Sequence, residues 1–164
     1  MPDAFTQSLI LTSPEETAAL ATAMADILGP GDVLLLEGPI GAGKTHFARA
    51  LIQTLLARHD ALEDVPSPTF TLVQTYEAGE TEIWHADLYR LSHPDDVLEL
   101  GLIDAFETAL CLVEWPDRLG DLWPAGALVL SFANHDDPET RTVTLSSDDL
   151  RWADLLKDCL NAAA

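Results

Sequence analysis

Basic residues are what this chain has least of. Only 8 Lys plus Arg stand against 28 Asp plus Glu in 164 residues, a formal net charge of −20. Such a surface repels a phosphodiester backbone, which argues against tight, direct nucleic-acid binding by the chain alone. Acidity of this degree is a solubility feature or, less commonly, a docking face for a basic partner. Cysteine is almost absent. Cys111 and Cys159 are too few for a disulfide framework, and both sit in apolar stretches where a core thiol is the default. No apolar run approaches the roughly 18 to 20 residues of a membrane span. The opening MPDAFTQSLILTSPEE has no basic segment ahead of an apolar run, so it does not read as a secretory signal. There is no spaced His/Cys set for a structural metal and no nucleophile elbow for a Ser-His-Asp site. Repeats, low-complexity tracts and long linkers are missing too. With 48% hydrophobic and 22% charged residues the remainder is ordinary globular composition. One cytoplasmic domain spanning 1–164, monomeric by itself, is the expectation.

What is present begins with punctuation. Ser13-Pro14-Glu15-Glu16 reads as an N-cap, a first-turn proline and a capping-box glutamate ahead of the helical run TAALATAMADIL, which stops at Gly29-Pro30-Gly31. DVLLLE, nearly continuous in apolar residues, has the look of a strand buried on both faces of a parallel sheet. A glycine-rich loop follows, and then the helical run HFARALIQTLLARH. SPTFTLVQTYEA and TEIWHADLYRL, split by Ala78-Gly79-Glu80, read as two antiparallel strands. His93 to about Leu100 reads as a short helix and ALCLVEW as another buried strand. ALVLSFA and RTVTLS form a second hairpin, and SSDDLRWADLLKDCL a closing amphipathic helix. The fold class is α/β, a P-loop NTPase-like three-layer arrangement with a mixed parallel and antiparallel central sheet.

The loop itself, Gly38-Pro39-Ile40-Gly41-Ala42-Gly43-Lys44-Thr45, fits G-x-x-x-x-G-K-[ST] between a strand and a helix. Glycines let the backbone wrap with N–H groups inward, a nest for phosphate at a helix N-terminus. Lys44 would then neutralise phosphate oxygens and the Thr45 hydroxyl would ligate Mg²⁺. Such a site needs an acid at the end of a neighbouring strand. Glu114, ending ALCLVE, and Asp87, ending the more alternating and so half-exposed EIWHAD, are the candidates. Trp115 is open between core packing and a nucleotide neighbour. His46 and His85 are possible polar contacts near phosphate, although a structural role is the commoner reading.

A GTPase needs an N-K-x-D reader, and Asn134-His135-Asp136-Asp137 lacks the lysine. A small-molecule kinase needs an arginine-bearing lid, and the arginines at 58, 90, 118, 141 and 151 are scattered. A nucleotide-binding adaptor without turnover is a third possibility.

G-x-x-G-A-G-K-T at 38–45, S-P-T-F-T-L-V at 67–73, H-x-D-L-Y-R-L at 85–91 and V-E-W-P at 113–116 together resemble the TsaE (YjeE) family. That family is the ATPase component of bacterial tRNA threonylcarbamoyladenosine synthesis. Order and spacing agree from the first helix to about Leu119, and the last 45 residues match loosely. The resemblance implies slow, Mg²⁺-dependent ATP hydrolysis in partnership with TsaD and TsaB, where TsaD modifies the adenosine beside the anticodon. The tRNA would be reached only through that complex. It further implies that Thr45 and Glu114 ligate Mg²⁺, and that Ile40, Gly41, Ala42, Gly43, Lys44, Thr45, His46 and Trp115 contact ATP. Asp87 and Lys44 would serve hydrolysis, and Ser67-Pro68-Thr69 would be a switch-like loop. Four positions depart from the family pattern. Pro39-Ile40 stands where Asp-Leu is frequent, His46 where a second threonine is common, and Ala86 where an aromatic is usual.

Overall fold

A computed structural model describes residues 4–68 and 71–163. Seven strands form one sheet: β1 (Phe5–Leu11), β2 (Val33–Glu37), β3 (Val73–Ala78), β4 (Thr81–Asp87), β5 (Leu110–Glu114), β6 (Leu128–Asn134) and β7 (Arg141–Ser147). Among the described residues five α-helices accompany them, α1 (Pro14–Met24), α2 (Lys44–Ala57), α3 (Asp95–Glu99), α4 (Leu102–Thr108) and α5 (Arg151–Ala163), with a 3-10 helix at Pro116–Leu122. The sheet order is β1-β7-β6-β2-β5-β4-β3. The middle four strands, β6-β2-β5-β4, are parallel, and an antiparallel pairing flanks them at each end. The mixed sheet expected from sequence is therefore present.

Burial explains the parallel middle. Each face of β2 must be covered, because side chains alternate across the sheet and four of its five residues are buried. Leu34 and Leu36 pack into a core with Leu20, Phe47, Leu51 and Trp152, contributed by α1, α2 and α5. Val33 and Leu35 point the other way, into a core with Val97, Ala105 and Phe106 from α3 and α4. Burying each of these leucines contributes about 1.5–3 kcal/mol, so helices on both faces are required. Both cysteines are core thiols, as expected, and burial pushes the Cys111 thiol up to about 12.

Several boundaries differ from the sequence reading for local reasons. Ser13 does cap α1, its Oγ accepting from the Glu16 N–H at 3.2 Å. Glu16, however, reaches back to the N–H and hydroxyl of Thr12 rather than to Ser13. Helix α1 stops at Met24, where i→i+3 turns take over: Asp26 N–H to Ala23 O and Ile27 N–H to Met24 O. The strand expected from Ser67 begins only at Val73, because Leu72 sits at φ +69° and breaks the extended run. Thr69 and Phe70 of S-P-T-F-T-L-V lie outside the described residues. Strand β4 ends at Asp87 and β5 at Glu114. Asp87, expected to be half exposed, is buried, as are His85 and Ala86 before it. At this end β4 runs between β3 and β5 and is covered on both faces. The closing helix starts at Arg151, whose N–H the Asp149 carboxylate accepts at 2.9 Å; Ser146 and Ser147 belong to β7. Strand β1 and helix α4 are additions.

The topology fixes where a ligand can sit. β2 and β5 are neighbours, and the chain leaves β2 toward β3 at one edge but leaves β5 toward β6 on the other side of β2, so the connections from these two carboxyl ends run in opposite directions. Open α/β sheets bind ligands in the crevice at such a switch point. The glycine loop leaves β2 at that point. Register places Asp87 beside Glu114 on the adjacent strand ends. Among the described residues no helix is long and apolar enough to cross a membrane.

Candidate functional site

The loop between β2 and α2 is shaped by its glycines and by what packs behind it. Gly38 has φ +137°, and a Cβ placed there would lie 2.4 Å from the Phe132 carbonyl oxygen on β6. No other residue fits that approach. Gly43, at φ +104°, is the N-cap of α2 and offers no side chain to satisfy the helix's first N–H groups. Those donors and the positive end of the helix dipole are left for a ligand at the loop.

Lys44 opens α2 and is 96% removed from solvent, with 4% relative exposure. Its Nζ donates to the Gly38 carbonyl at 2.6 Å and lies 3.6 Å from the Trp115 ring centroid. Burial pushes its ammonium below the usual lysine range, against the opposing pull of Glu114, Asp87 and Asp117. Trp115 reaches this position through a left-handed backbone, φ +59°. That conformation is strained for a bulky residue, by about 1–3 kcal/mol, and such strain concentrates at functional sites. The Tyr89 ring leans on the same indole, with centroids 4.8 Å apart.

The acidic side is tied together by hydrogen bonds. Thr45 Oγ1 donates to Glu114 Oε1 at 2.7 Å. The other oxygen, Oε2, lies 2.7 Å from His85 Nε2, and both residues are buried. The tautomer with its proton on Nε2 makes His85 the donor in this contact. His85 Nδ1 is buried without a hydrogen-bond partner among the described residues. Asp87 Oδ1 accepts from the Tyr89 N–H at 3.0 Å, and the Asp87 N–H donates to Leu72 O at 2.8 Å.

These groups face one cavity of about 590 Å³, a volume suited to a small-molecule ligand. Ile40, Gly41, Gly43, Lys44, Thr45, His46, Asp87, Glu114 and Trp115 all line it. Ala42 is fully buried behind the loop and does not. His85 stands one step back, behind Glu114. Ser67 and Pro68 are not on the wall, and Thr69 is outside the described residues. His46 Nε2 lies 2.9 Å from the Pro14 carbonyl, which links the first turn of α2 to the start of α1. The sequence reading missed Pro14, Thr17, Tyr89, Pro138, Glu139 and Arg141, which complete the lining. Tyr89 had a signal, two residues after Asp87 in H-x-D-L-Y. The others depend on how α1 and the β6–β7 hairpin pack, which no local pattern states.

No group of three or more His, Cys, Asp or Glu side chains is arranged for a metal among the described residues. Mg²⁺ needs no such cage. It keeps its waters and takes one or two protein oxygens beside substrate phosphates. Thr45 Oγ1 and Glu114 Oε1, hard oxygen donors converging beside Lys44, fit that requirement.

The profile of the family described as threonylcarbamoyl adenosine biosynthesis protein TsaE matches residues 11–143. The tRNA threonylcarbamoyladenosine biosynthesis protein TsaE of Rickettsia bellii is 39% identical over 78% of this chain and 87% of its own. The protein of that name from Rickettsia felis is 43% identical over 70% of this chain, an alignment that spans 65% of the relative. The Bacillus subtilis protein of that name is 35% identical over 89% of both chains. Among solved structures, Bacillus subtilis YdiB superposes with a TM-score of 0.77 at 28% identity, over 98% of this chain and 97% of that one.

Proposed function

This chain belongs to the TsaE family, and we propose that it is a Mg²⁺-dependent ATPase serving tRNA threonylcarbamoyladenosine synthesis. The observation that carries the reading is the 2.7 Å contact between Thr45 and Glu114 at the mouth of a glycine loop that also presents Lys44. Each residue then has a task. Backbone N–H groups from Gly41 to Thr45 hold the phosphates, and Lys44 sets its ammonium against their oxygens. Thr45 and Glu114 hold Mg²⁺, and the His85 hydrogen bond keeps the Glu114 carboxylate in line. When bound, the metal neutralises charge on the phosphates. Asp87, fixed by the Tyr89 N–H, orients the water that attacks. Trp115 and Tyr89 close one side of the cavity with apolar surface and limit solvent there.

The partners in this reading are TsaD and TsaB. The net charge of −20 supports a division of labour in which the tRNA is held by the partners and not by this acidic surface. Hydrolysis resets the complex between rounds of modification. The test is phosphate release with and without Mg²⁺, for the parental chain and for Glu114→Ala, together with co-purification with a TsaD–TsaB pair in ATP and in ADP. Metal-dependent release that Glu114→Ala loses supports the reading. Unchanged release by that variant overturns the metal assignment. A phosphorylated metabolite formed from labelled ATP would make the protein a kinase instead, and nucleotide binding without turnover would make it an adaptor.

A further inference from the structure

The nucleotide loop is held from outside by a residue near the C-terminal end of the family match. Arg141 opens β7, far from the loop in sequence. Its Nε donates to the Ala42 carbonyl at 3.0 Å and its Nη2 to the Gly41 carbonyl at 3.1 Å. Its Nη1 donates to Pro138 O at 2.5 Å and to Thr140 O at 3.0 Å, which fixes the guanidinium to its own hairpin. No ion pair to Arg141 occurs among the described residues, in a chain with 28 acids. The side chain also lines the 590 Å³ cavity. A guanidinium spent on four carbonyls, beside a site that would hold polyanionic phosphate, keeps its full positive charge for that site.

The geometry of the peptide unit gives these contacts a direction. In a trans peptide the C=O and the following N–H point opposite ways. Drawing the Gly41 and Ala42 carbonyls outward therefore turns the N–H groups of Ala42 and Gly43 toward the interior of the loop. The Ala42 N–H is taken up inside the loop by the Pro39 carbonyl at 3.2 Å, which leaves the Gly43 N–H as the donor turned toward a ligand. A planar fork holds donors at fixed spacing for all four carbonyls at once, whereas an ammonium has only three donors on a single atom.

We propose that Arg141 is a positioning residue of the phosphate loop, bracing two successive peptide units through their carbonyls so that the Gly43 N–H faces a bound triphosphate, and adding charge beside it. The inference rests on the nucleotide reading above, and its test separates the two. Titration with ATP·Mg²⁺ and with inorganic tripolyphosphate is compared for the parental chain, Arg141→Ala and Arg141→Lys, with melting temperatures taken without ligand. Both variants are expected to lose about tenfold or more in affinity for both ligands, with KM for ATP rising more than kcat falls. Arg141→Lys should melt within a few degrees of the parental chain. Parental affinity in Arg141→Ala overturns the proposal, and full rescue by Arg141→Lys reduces it to charge alone and overturns the positioning role. Loss of affinity only together with unfolding, or a lower melting temperature at unchanged affinity, assigns Arg141 a structural role and also overturns it. If the parental chain binds neither ligand, the nucleotide reading fails first and takes this one with it.

Discussion

The two walls of the cavity are built differently. On the loop wall, backbone does the work: glycines, helix N–H groups and carbonyls pulled outward by Arg141, with the β6–β7 hairpin packed behind. On the opposite wall, side chains do it: Glu114 is pinned by Thr45 on one oxygen and His85 on the other, with Asp87 in register on the next strand. A backbone wall tolerates substitution of neighbouring side chains but not a shift of the chain path. A side-chain wall is the reverse, since one atom removed strands its partners. Lys44 joins the two, bonded to the Gly38 carbonyl while attracted by Glu114 and Asp87.

Removing Lys44, which joins the walls, or Glu114, the centre of the side-chain wall, should have the largest effect. Lys44→Ala and Glu114→Ala are each expected to lower phosphate release by a hundredfold or more, on the order of 3 kcal/mol in the barrier. They should differ in binding: Lys44→Ala weakens nucleotide itself, whereas Glu114→Ala weakens mainly its Mg²⁺ dependence, as EDTA does to the parental chain. If both variants lost nucleotide affinity equally, the contrast between the walls would collapse. Next comes Gly38→Ala, which meets the Phe132 carbonyl and a positive φ together. It should cost about 2–3 kcal/mol in urea unfolding and loosen the loop wall alone. A urea midpoint equal to the parental one would show that β6 does not brace the loop.

His85→Ala tests the other wall from behind. Loss of the orienting bond should raise the Mg²⁺ needed for half-maximal activity by about 10- to 100-fold, with metal-free nucleotide affinity unchanged. An equal loss of metal-free affinity would make His85 a general packing residue. The smallest change expected is Trp115→Phe. A weaker cation–π contact costs about 0.5–1 kcal/mol, read as a few-fold shift in nucleotide affinity.

Much of the site was legible because its chemistry is local. G-x-x-x-x-G-K-T needs its spacing within eight residues, and Glu114 and Asp87 announce themselves at the ends of apolar strands. Contacts that require two distant elements were not legible. Arg141 reached the loop only after the hairpin register placed it opposite Asn134 and the hairpin packed under Gly38. His46 made no sense as a substitute threonine until α1 lay beside α2 with the Pro14 carbonyl in range. The missed elements follow the same rule. Strand β1, FTQSLIL, buries fully only Leu11, so its alternation is blurred. Helix α4 is separated from α3 by Leu100 and a left-handed Gly101 at φ +77°, and without that break the two merge into one ambiguous segment. Asp87 was misjudged because covering β4 on both faces is a property of the whole sheet.

The sheet ends in β1 and β3, and this gives the chain's acidity a colloidal meaning. A terminal strand is a template on which another copy can pair, and β1 carries Ile10 with 65% of its surface exposed. Neither edge strand contains a lysine, the usual blunting residue. At −20 every copy repels every other before an edge can be reached, so long-range repulsion does what local edge chemistry omits. That protection is titratable. As the carboxylates protonate, the repulsion that keeps these edges apart fades.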